Sequence, residues 1–203
     1  MSATGREPRH PPGHTHVADV VLSDATPVHL RPIVPEDADA LVSFHAGLSP
    51  ESIILRYFGP HPRLSAKEVE RLTNVDGVDR FALVAAHEGR IVGVARYERA
   101  PGTDEAEVAF LVDDAFQGKR LGTMLFEHLA EAAREHGVRR FVADTLAENA
   151  RMLGVFRDSG YRRHYDRFSE VVQVALDIAP DSPTPDSPTP GAGGADGRGE
   201  AGD

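Results

Sequence analysis

Cysteine is absent from the 203-residue chain. Its absence excludes disulfides, thiolate metal sites and a covalent cysteine intermediate, and it fits a reducing compartment. The sequence also has no apolar run near the roughly 20 residues that a membrane-spanning helix needs. The N-terminus shows no apolar signal-peptide core. We therefore expect a cytoplasmic protein without a membrane segment.

Basic charge is scarce as well. The chain carries 22 Lys and Arg against 32 Asp and Glu, which gives a formal net charge of −10 at pH 7. A general nucleic-acid binder presents a basic surface, so we expect no nucleic-acid partner. The acidic excess is compatible with basic substrates such as amines or lysine side chains.

The composition divides the chain into three parts. Residues 1–18 are rich in Pro, Gly, His and Thr, and residues 179–203 contain the unit DSPTP twice, followed by Gly, Ala and acidic residues. Neither segment can bury a core, so we expect both to be disordered. The histidines of the first segment are typical of a flexible tail, and we predict no metal site. Phosphorylation of the last segment is an open alternative.

Residues 19–178 show the patterns of a mixed α/β domain. Hydrophobic periodicity, caps and turn residues predict an antiparallel meander followed by a strand–helix–strand unit, which implies a right-handed parallel crossover. The predicted strands are 28–34, 81–86, 91–97, 107–113, 141–146, 162–167 and 170–178. The predicted helices follow Pro35, Ser49, Ser65, Gly122 and Asn149.

The stretch EVAFLVDDAFQGKRLGT, residues 107–123, is the centre of this pattern. It predicts a strand, a loop with two glycines and the start of a helix. The free N–H groups and the dipole of a helix start favour an anion, and glycine allows its close approach. Lys119 and Arg120 add positive charge. The alternative interpretation is an ordinary strand-to-helix turn with a solvated basic pair, because such a turn can have the same spacing of glycines and basic residues.

Alternation along the strand separates its two faces. Ala106, Val108 and Phe110 form an apolar face that should pack on helices, whereas Glu105 and Glu107 lie on the other face. A carboxylate at Glu107 would lie near the far end of a ligand whose phosphate binds the loop. A plain solvent-facing glutamate is the alternative interpretation, and Glu105 is a competing candidate.

The segment QGKRLG, residues 117–122, resembles the pyrophosphate loop of the GNAT N-acetyltransferases, whose pattern is Gln or Arg, two residues, Gly, one residue, then Gly or Ala. The similarity includes the EVAFLV strand, extends to Asn149, Phe156 and Gly160-Tyr161, and covers about residues 20–178. The chain resembles especially the bacterial Pat-type protein-lysine acetyltransferases, because it contains the segments LRYFGPHPRLS, TNVD and GTDEAEVAF. Arg120 stands where the family usually has glycine.

The resemblance implies the GNAT fold, a mainly antiparallel twisted sheet with helices on both faces and a parallel crossover at the acetyl-CoA site. It also implies acetyl-CoA as co-substrate, Glu107 as general base and an acceptor amine that is most often a protein lysine. The backbone of Phe110, Leu111 and Val112 would receive the pantetheine arm and the thioester carbonyl. The remaining residues expected at the cofactor are Gln117, Gly118, Lys119, Arg120, Leu121, Gly122, Thr123, Asn149 and Phe156.

A base is needed because a lysine amine has a pKa near 10.4, so only about one molecule in a thousand is neutral at pH 7. Phe156 stands where many relatives carry a tyrosine proposed as general acid; Tyr161 and Tyr165 are conceivable substitutes. Two other functions stay open, namely a small-molecule amine acetyltransferase and a non-catalytic acyl-CoA sensor. Both a monomer and a homodimer are compatible with the sequence.

Overall fold

The computed structural model describes residues 16–179. Most of the two segments expected to be disordered, and the possible phosphorylation sites, lie outside these residues. No helix between residues 16 and 179 is long and apolar enough to cross a bilayer. The strands are β1 (Ala18–Val21), β2 (Pro27–Pro32), β3 (Arg80–His87), β4 (Arg90–Arg99), β5 (Glu105–Val112), β6 (Arg140–Leu146), β7 (Arg162–Phe168) and β8 (Val171–Asp177). The helices are α1 (Ala38–Ala46), α2 (Pro50–Tyr57), α3 (Ala66–Thr73), α4 (Leu121–Glu135) and α5 (Ala150–Asp158), with short 3₁₀ turns at Pro35–Asp37 and Asp114–Phe116.

All eight strands form one sheet in the order β1-β2-β3-β4-β5-β6-β8-β7. The pair β5–β6 is parallel and the other pairs are antiparallel. The predicted crossover through α4 is therefore confirmed, and so is the predicted mixed, mainly antiparallel sheet.

Short local signals determine several element boundaries. Ser49 caps α2 by accepting a hydrogen bond from Ser52 N–H at 3.2 Å, with Pro50 at the first helical position. Ser65 opens α3 with a full capping box. The β3–β4 hairpin turns at Glu88 and Gly89, which both have positive φ. Each of these features follows the pattern predicted from the sequence.

The sheet separates two hydrophobic cores. The larger core contains the even-numbered residues Ala106, Val108 and Phe110 of β5 and the buried face of α4. The smaller core lies under α1 and α2 and receives Leu111 from the other face of β5. Burying the two faces of β5 in different cores fixes the register of this strand, because a shift by one residue would bury Glu107.

Two features differ from the predicted pattern. The sequence pattern predicts no strand before Val28, but β1 pairs with β2 from Ala18 to Val21. Four residues at a sheet edge, with Val21 largely exposed, are too few for a period-2 signal. The pattern also does not predict that β8 lies between β6 and β7, because strand order depends on contacts between segments distant in sequence.

Candidate active site

The strands β5 and β6 separate in the middle of the sheet. Their parallel ladder joins only three residue pairs, from Glu105↔Arg140 to Glu107↔Val142, although β5 continues to Val112 and β6 to Leu146. Beyond Glu107 the two strands diverge and leave a V-shaped gap. A gap of this kind exposes backbone hydrogen-bonding groups that a continuous sheet would use.

The register of β5 with β4 shows which backbone groups face the gap. Asp113 N–H donates to Val92 O at 2.9 Å, so odd-numbered residues of β5 bond to β4 and even-numbered ones turn toward β6. Phe110 therefore directs its N–H and C=O into the gap, and Val112 directs its N–H there. Leu111 uses its backbone groups in the β4 ladder and contributes its side chain instead.

The loop before α4 presents a row of free donors. Within residues 16–179, none of the backbone N–H groups from Gly118 to Thr123 donates a hydrogen bond to a protein acceptor. Gly118 (φ 73°) and Arg120 (φ 68°) both adopt the left-handed conformation. Left-handed residues in such a loop turn successive N–H groups toward one side, where the dipole of α4 adds to the attraction for an anion.

Side chains from α2 hold this loop in place. Gln117 Nε2 donates to Val112 O and Ser52 Oγ, both at 3.0 Å. Asp114 accepts hydrogen bonds from the N–H and Oγ of Ser49 and from Ser52 Oγ at 2.7–2.9 Å. Burial raises the pKa of Asp114, but these hydrogen bonds outweigh it, and the net result is a lowered pKa.

The gap and the loop form the two ends of a cleft with a cavity of about 390 Å³. The cleft runs from Glu107 along β5 to the start of α4, and α5 covers its side. A cleft that combines free strand groups with an anion-binding loop suits a long ligand with a phosphate at one end and a reactive group at the other. All predicted site residues except Lys119 line it: Glu107, Phe110, Leu111, Val112, Gln117, Gly118, Arg120, Leu121, Gly122, Thr123, Asn149 and Phe156.

A family comparison identifies this arrangement. Residues 51–161, more than half of the chain, match the model of the acetyltransferase (GNAT) family. The chain belongs to the GNAT family.

Individual relatives agree with this assignment. An acetyltransferase of Pseudomonas aeruginosa is 31% identical over 135 residues, which cover 64% of this chain and 73% of the relative. The acetyltransferase Pat of Mycolicibacterium smegmatis is 32% identical over 127 residues, which are 61% of this chain but only 38% of Pat. The GNAT domain of PAT from S. lividans has 44% identity and a TM-score of 0.77, covering 83% of this chain and 99% of that domain.

The chain is thus an acetyl-CoA-dependent acetyltransferase, and the predicted resemblance to Pat-type GNAT proteins is confirmed. A structure from Salmonella typhimurium, solved with its cofactor acetyl-CoA, has the same fold at 16% identity, with a TM-score of 0.62 over 79% of this chain and 99% of that one. Acetyl-CoA carries a pyrophosphate next to its adenosine, then an extended pantetheine arm that ends in the thioester, which fits a cleft with an anion-binding loop at one end and free strand groups along its side.

Lys119 is the predicted site residue that lies outside the cleft lining. Its ammonium pairs with Asp24 at 2.7 Å and lies 5.3 Å from the ring centroid of Phe116. The carbonyl of Lys119 also accepts a hydrogen bond from Ser23 N–H. These contacts attach the GNAT loop to the β1–β2 turn, so the side chain of Lys119 has a structural use in this chain.

Glu107 and Glu105 occupy different environments. Glu107 lines the cleft with its carboxylate exposed, at the point where β5 and β6 diverge. Glu105 borders neither this cleft nor the smaller cavity described below. The geometry thus favours Glu107 over its competitor for a role beside the reacting atoms.

The α5 side of the cleft lacks a hydroxyl at the usual GNAT position. Phe156 is fully buried and packs edge-on against Phe126, with centroids 6.0 Å apart. Tyr161, a possible substitute, accepts a hydrogen bond from Arg134 at its hydroxyl, and Tyr165 is about half exposed on β7. Neither tyrosine lines the cleft.

Asn149 and Thr145 contribute polar groups to the same side. Asn149 Oδ1 caps α5 by accepting from Met152 N–H at 3.1 Å, which leaves its amide group toward the cleft. Thr145 on β6 is buried, and its hydroxyl has no partner in residues 16–179. The sequence analysis does not select Thr145, since one threonine in a strand carries no motif.

A smaller cavity of about 110 Å³ lies beside β5, under α1, α2 and α3. It shares Arg56 and the segment 109–111 with the large cleft, so the two spaces meet at β5. Tyr57 lines it as well, and burial raises the pKa of its hydroxyl. The residues around this cavity come from six elements, and the sequence analysis does not group them.

Proposed function

We propose that this GNAT protein transfers the acetyl group of acetyl-CoA directly to a lysine side chain of another protein, with Glu107 as the general base. The observation that carries the proposal is the position of Glu107 at the mouth of the gap between β5 and β6, on the strand that presents free backbone groups to the cleft. The similarity to Pat-type relatives supports a protein acceptor.

The cofactor would bind through the chain's backbone more than through its side chains. The free N–H groups from Gly118 to Thr123 would hold the pyrophosphate. Phe110 and Val112 would pair with the amides of the pantetheine arm as a missing strand would, and Asn149 would contact the same arm. The thioester would then lie near Glu107, at the opposite end from the loop.

Glu107 would accept a proton from the lysine ammonium, directly or through water. The neutral nitrogen then forms a bond to the acetyl carbon while the carbon–sulfur bond breaks. The second N–H proton is lost as the amide forms. Because the tyrosine of many relatives is replaced by Phe156, this proton would pass through water to the departing thiolate. No cysteine is present to form an acyl-enzyme, which fits direct transfer.

The experiment compares acceptors with one donor. The full chain is incubated with acetyl-CoA and a bacterial proteome that was treated with a lysine deacetylase, and acetylated lysines are mapped by mass spectrometry. Glu107→Gln is the matched control. We expect a limited set of lysines to be acetylated by the wild type and not by the variant.

Two results would contradict the proposal. Faster CoA release with a panel of small amines than with any protein would indicate a small-molecule enzyme. Tight acetyl-CoA binding without CoA release for any acceptor would indicate a sensor that retains the cleft.

A further inference from the structure

The smaller cavity has an unusual charge for a site that receives an amine. Arg56, Arg71 and Arg96 all line it, and Glu68 is the acidic residue among its lining side chains. A protonated lysine would be repelled from such a surface, whereas a carboxylate would be attracted to it. The cavity therefore calls for a ligand group other than the amine itself.

The acidic groups near the cavity are already engaged. Glu98 accepts two hydrogen bonds from Arg71, at 2.5 and 2.6 Å, and lies 3.5 Å from Arg96. Glu68 accepts from Ser65 at 2.6–2.7 Å as part of the α3 capping box. These contacts neutralise Arg71 and part of the charge of Arg96, but they do not reach Arg56.

Within residues 16–179, Arg56 forms no ion pair and makes no hydrogen bond through its guanidinium, which instead lies 5.1 Å from the ring centroid of Tyr57. Burial, followed by the nearby charge of Arg96, lowers the pKa of Arg56. An arginine stays protonated in proteins even so, and an aromatic ring does not satisfy the N–H donors of a partly buried guanidinium. A bound anion would accept hydrogen bonds from those donors.

The arginines also lie next to the expected reacting centre. Arg56 lines both the large cleft and the smaller cavity, and Glu107 lines the cleft beside it. Arg96 lies directly opposite Ala109 in the β4–β5 ladder. Because Ala109 is two residues after Glu107 on β5, Arg96 and Glu107 lie on the same face of the sheet. Groups attached a few bonds from the acetyl carbon or from the amine would reach the two arginines.

We propose that Arg56 and Arg96 form a subsite for a carboxylate carried close to the reacting centre. This subsite rests on the proposed function, in which acyl transfer takes place beside Glu107. The reaction is unchanged: the carbon–nitrogen bond forms and the carbon–sulfur bond breaks. One proton of the ammonium goes to Glu107, and the second N–H proton passes through water to the thiolate. The guanidinium groups orient the carboxylate, with the forked geometry that suits it.

The carboxylate can come from either reactant. A donor with a dicarboxylic acyl group, such as succinyl-CoA, would carry it on the acyl chain. An acceptor with a carboxylate near its amine would carry it on the other side. Both sources have the same chemistry, and matched pairs of ligands separate them.

The donor arm compares succinyl-CoA with butyryl-CoA, which has an acyl chain of the same length without the charge. Affinities for the full chain are measured by calorimetry. The acceptor arm compares γ-aminobutyrate with n-butylamine, using kcat/KM with acetyl-CoA as donor. In one of the two arms we expect the wild type to prefer the carboxylate about 10- to 100-fold, as for a charge-assisted hydrogen bond.

The variants Arg56→Gln and Arg96→Gln should each reduce that preference toward one, while Arg56→Lys should restore part of it. Arg90→Gln, an exposed arginine at the β3–β4 turn, is the matched control and should keep the wild-type ratio. Because each readout is a ratio within one variant, a general loss of CoA affinity or of stability cancels.

The outcomes distinguish this inference from the proposed function. A wild type without preference in either arm overturns the subsite, and so does a preference that survives both Gln variants. If acetyl transfer to every acceptor is absent, the proposed function fails, and the donor arm alone then decides on the subsite.

Discussion

The two ends of the active-site region are built in opposite ways. One end of the cleft is a contiguous loop, residues 117–123, which presents free backbone N–H groups. The smaller cavity gathers side chains from α1, α2, α3, β3, β4 and β5. The first depends on the conformation of a few residues, and the second depends on how distant segments pack.

This difference determines how each end responds to substitution. A backbone N–H is present whatever the side chain, so substitutions in the loop act through φ and ψ. In the smaller cavity and at Glu107, the side chains carry the functional groups, so a substitution removes the group itself. We therefore expect chemical losses near Glu107 to be much larger than losses in the loop, and four experiments test that contrast.

The largest effect is expected for Glu107→Gln, which removes the base but almost preserves the shape. The value of kcat/KM should fall by about 10²–10⁴-fold, the usual contribution of general-base catalysis, with acetyl-CoA affinity unchanged. Activity should recover partially at high pH, because more of the amine is then neutral without help. Initial rates from pH 6 to 9 and calorimetry measure both.

Glu105→Gln is the control on the same strand face and should change little, because Glu105 lies outside both cavities. An inactive Glu105→Gln combined with an active Glu107→Gln would move the base two residues along β5. Normal rates in both variants would assign the base to water or to the substrate.

The second effect concerns Asp114, which joins the loop to α2. Asp114→Ala leaves the donors of Ser49 and Ser52 without their acceptor and should cost about 1–2 kcal/mol of unfolding free energy at pH 7. Asp114→Asn keeps the shape, so it should cost less. Chemical denaturation measures these changes.

The lowered pKa of Asp114 gives the pH dependence its sign. A carboxyl with a depressed folded-state pKa stabilises above its unfolded pKa and loses this contribution as the pH falls through the folded value. The difference between wild type and Asp114→Asn should therefore be constant at neutral pH and shrink below about pH 4. A difference that grows in acid would contradict the hydrogen-bonded carboxylate.

The third effect isolates backbone conformation in the loop. Gly118 has φ 73° and open space where a Cβ would lie, so Gly118→Ala tests the left-handed conformation without a clash. We expect a loss of about 1 kcal/mol, seen as a melting temperature lower by about 2–4 °C and as weaker acetyl-CoA binding. Gly59→Ala, also with open space but without a positive φ, should change neither.

The smallest effect is expected at Arg120, where a side chain occupies a left-handed position (φ 68°). Arg120→Gly and Arg120→Ala both remove the guanidinium, but only glycine also relieves the backbone. The glycine variant should be more stable than the alanine variant by about 0.5–1 kcal/mol. Both should bind acetyl-CoA a few-fold more weakly if the guanidinium reaches a phosphate, and tighter binding by the glycine variant would show that it does not.

Much of the fold could be predicted because its signals are local. The Ser49 and Ser65 caps, the turn at Glu88-Gly89 and the alternation along β5 each involve residues within a few positions of one another. The short β1 and the place of β8 between β6 and β7 have no such signal. They depend on pairing between distant segments.

The site was predictable to the same extent. The loop and the strand face of Glu107 follow from contiguous residues, and the structure brings them together in one cleft. The pairing of Lys119 with Asp24 and the left-handed backbone of Arg120 could not be read from spacing. Thr145 belongs to no motif, and Arg56 lies in the segment LRYFGPHPRLS, whose sequence does not show that its guanidinium faces the cleft.

The sequence by itself determined the order of elements, the glycine-bearing loop before a helix and the face of β5 on which Glu107 lies, because helix caps, turns and period-2 alternation depend on near neighbours. Only the tertiary structure decided that β5 and β6 part beyond Glu107 and that α2 brings Arg56 to this gap. Those features arise because long-range packing sets which backbone and side-chain groups remain without a hydrogen-bonding partner, and near neighbours in the sequence do not.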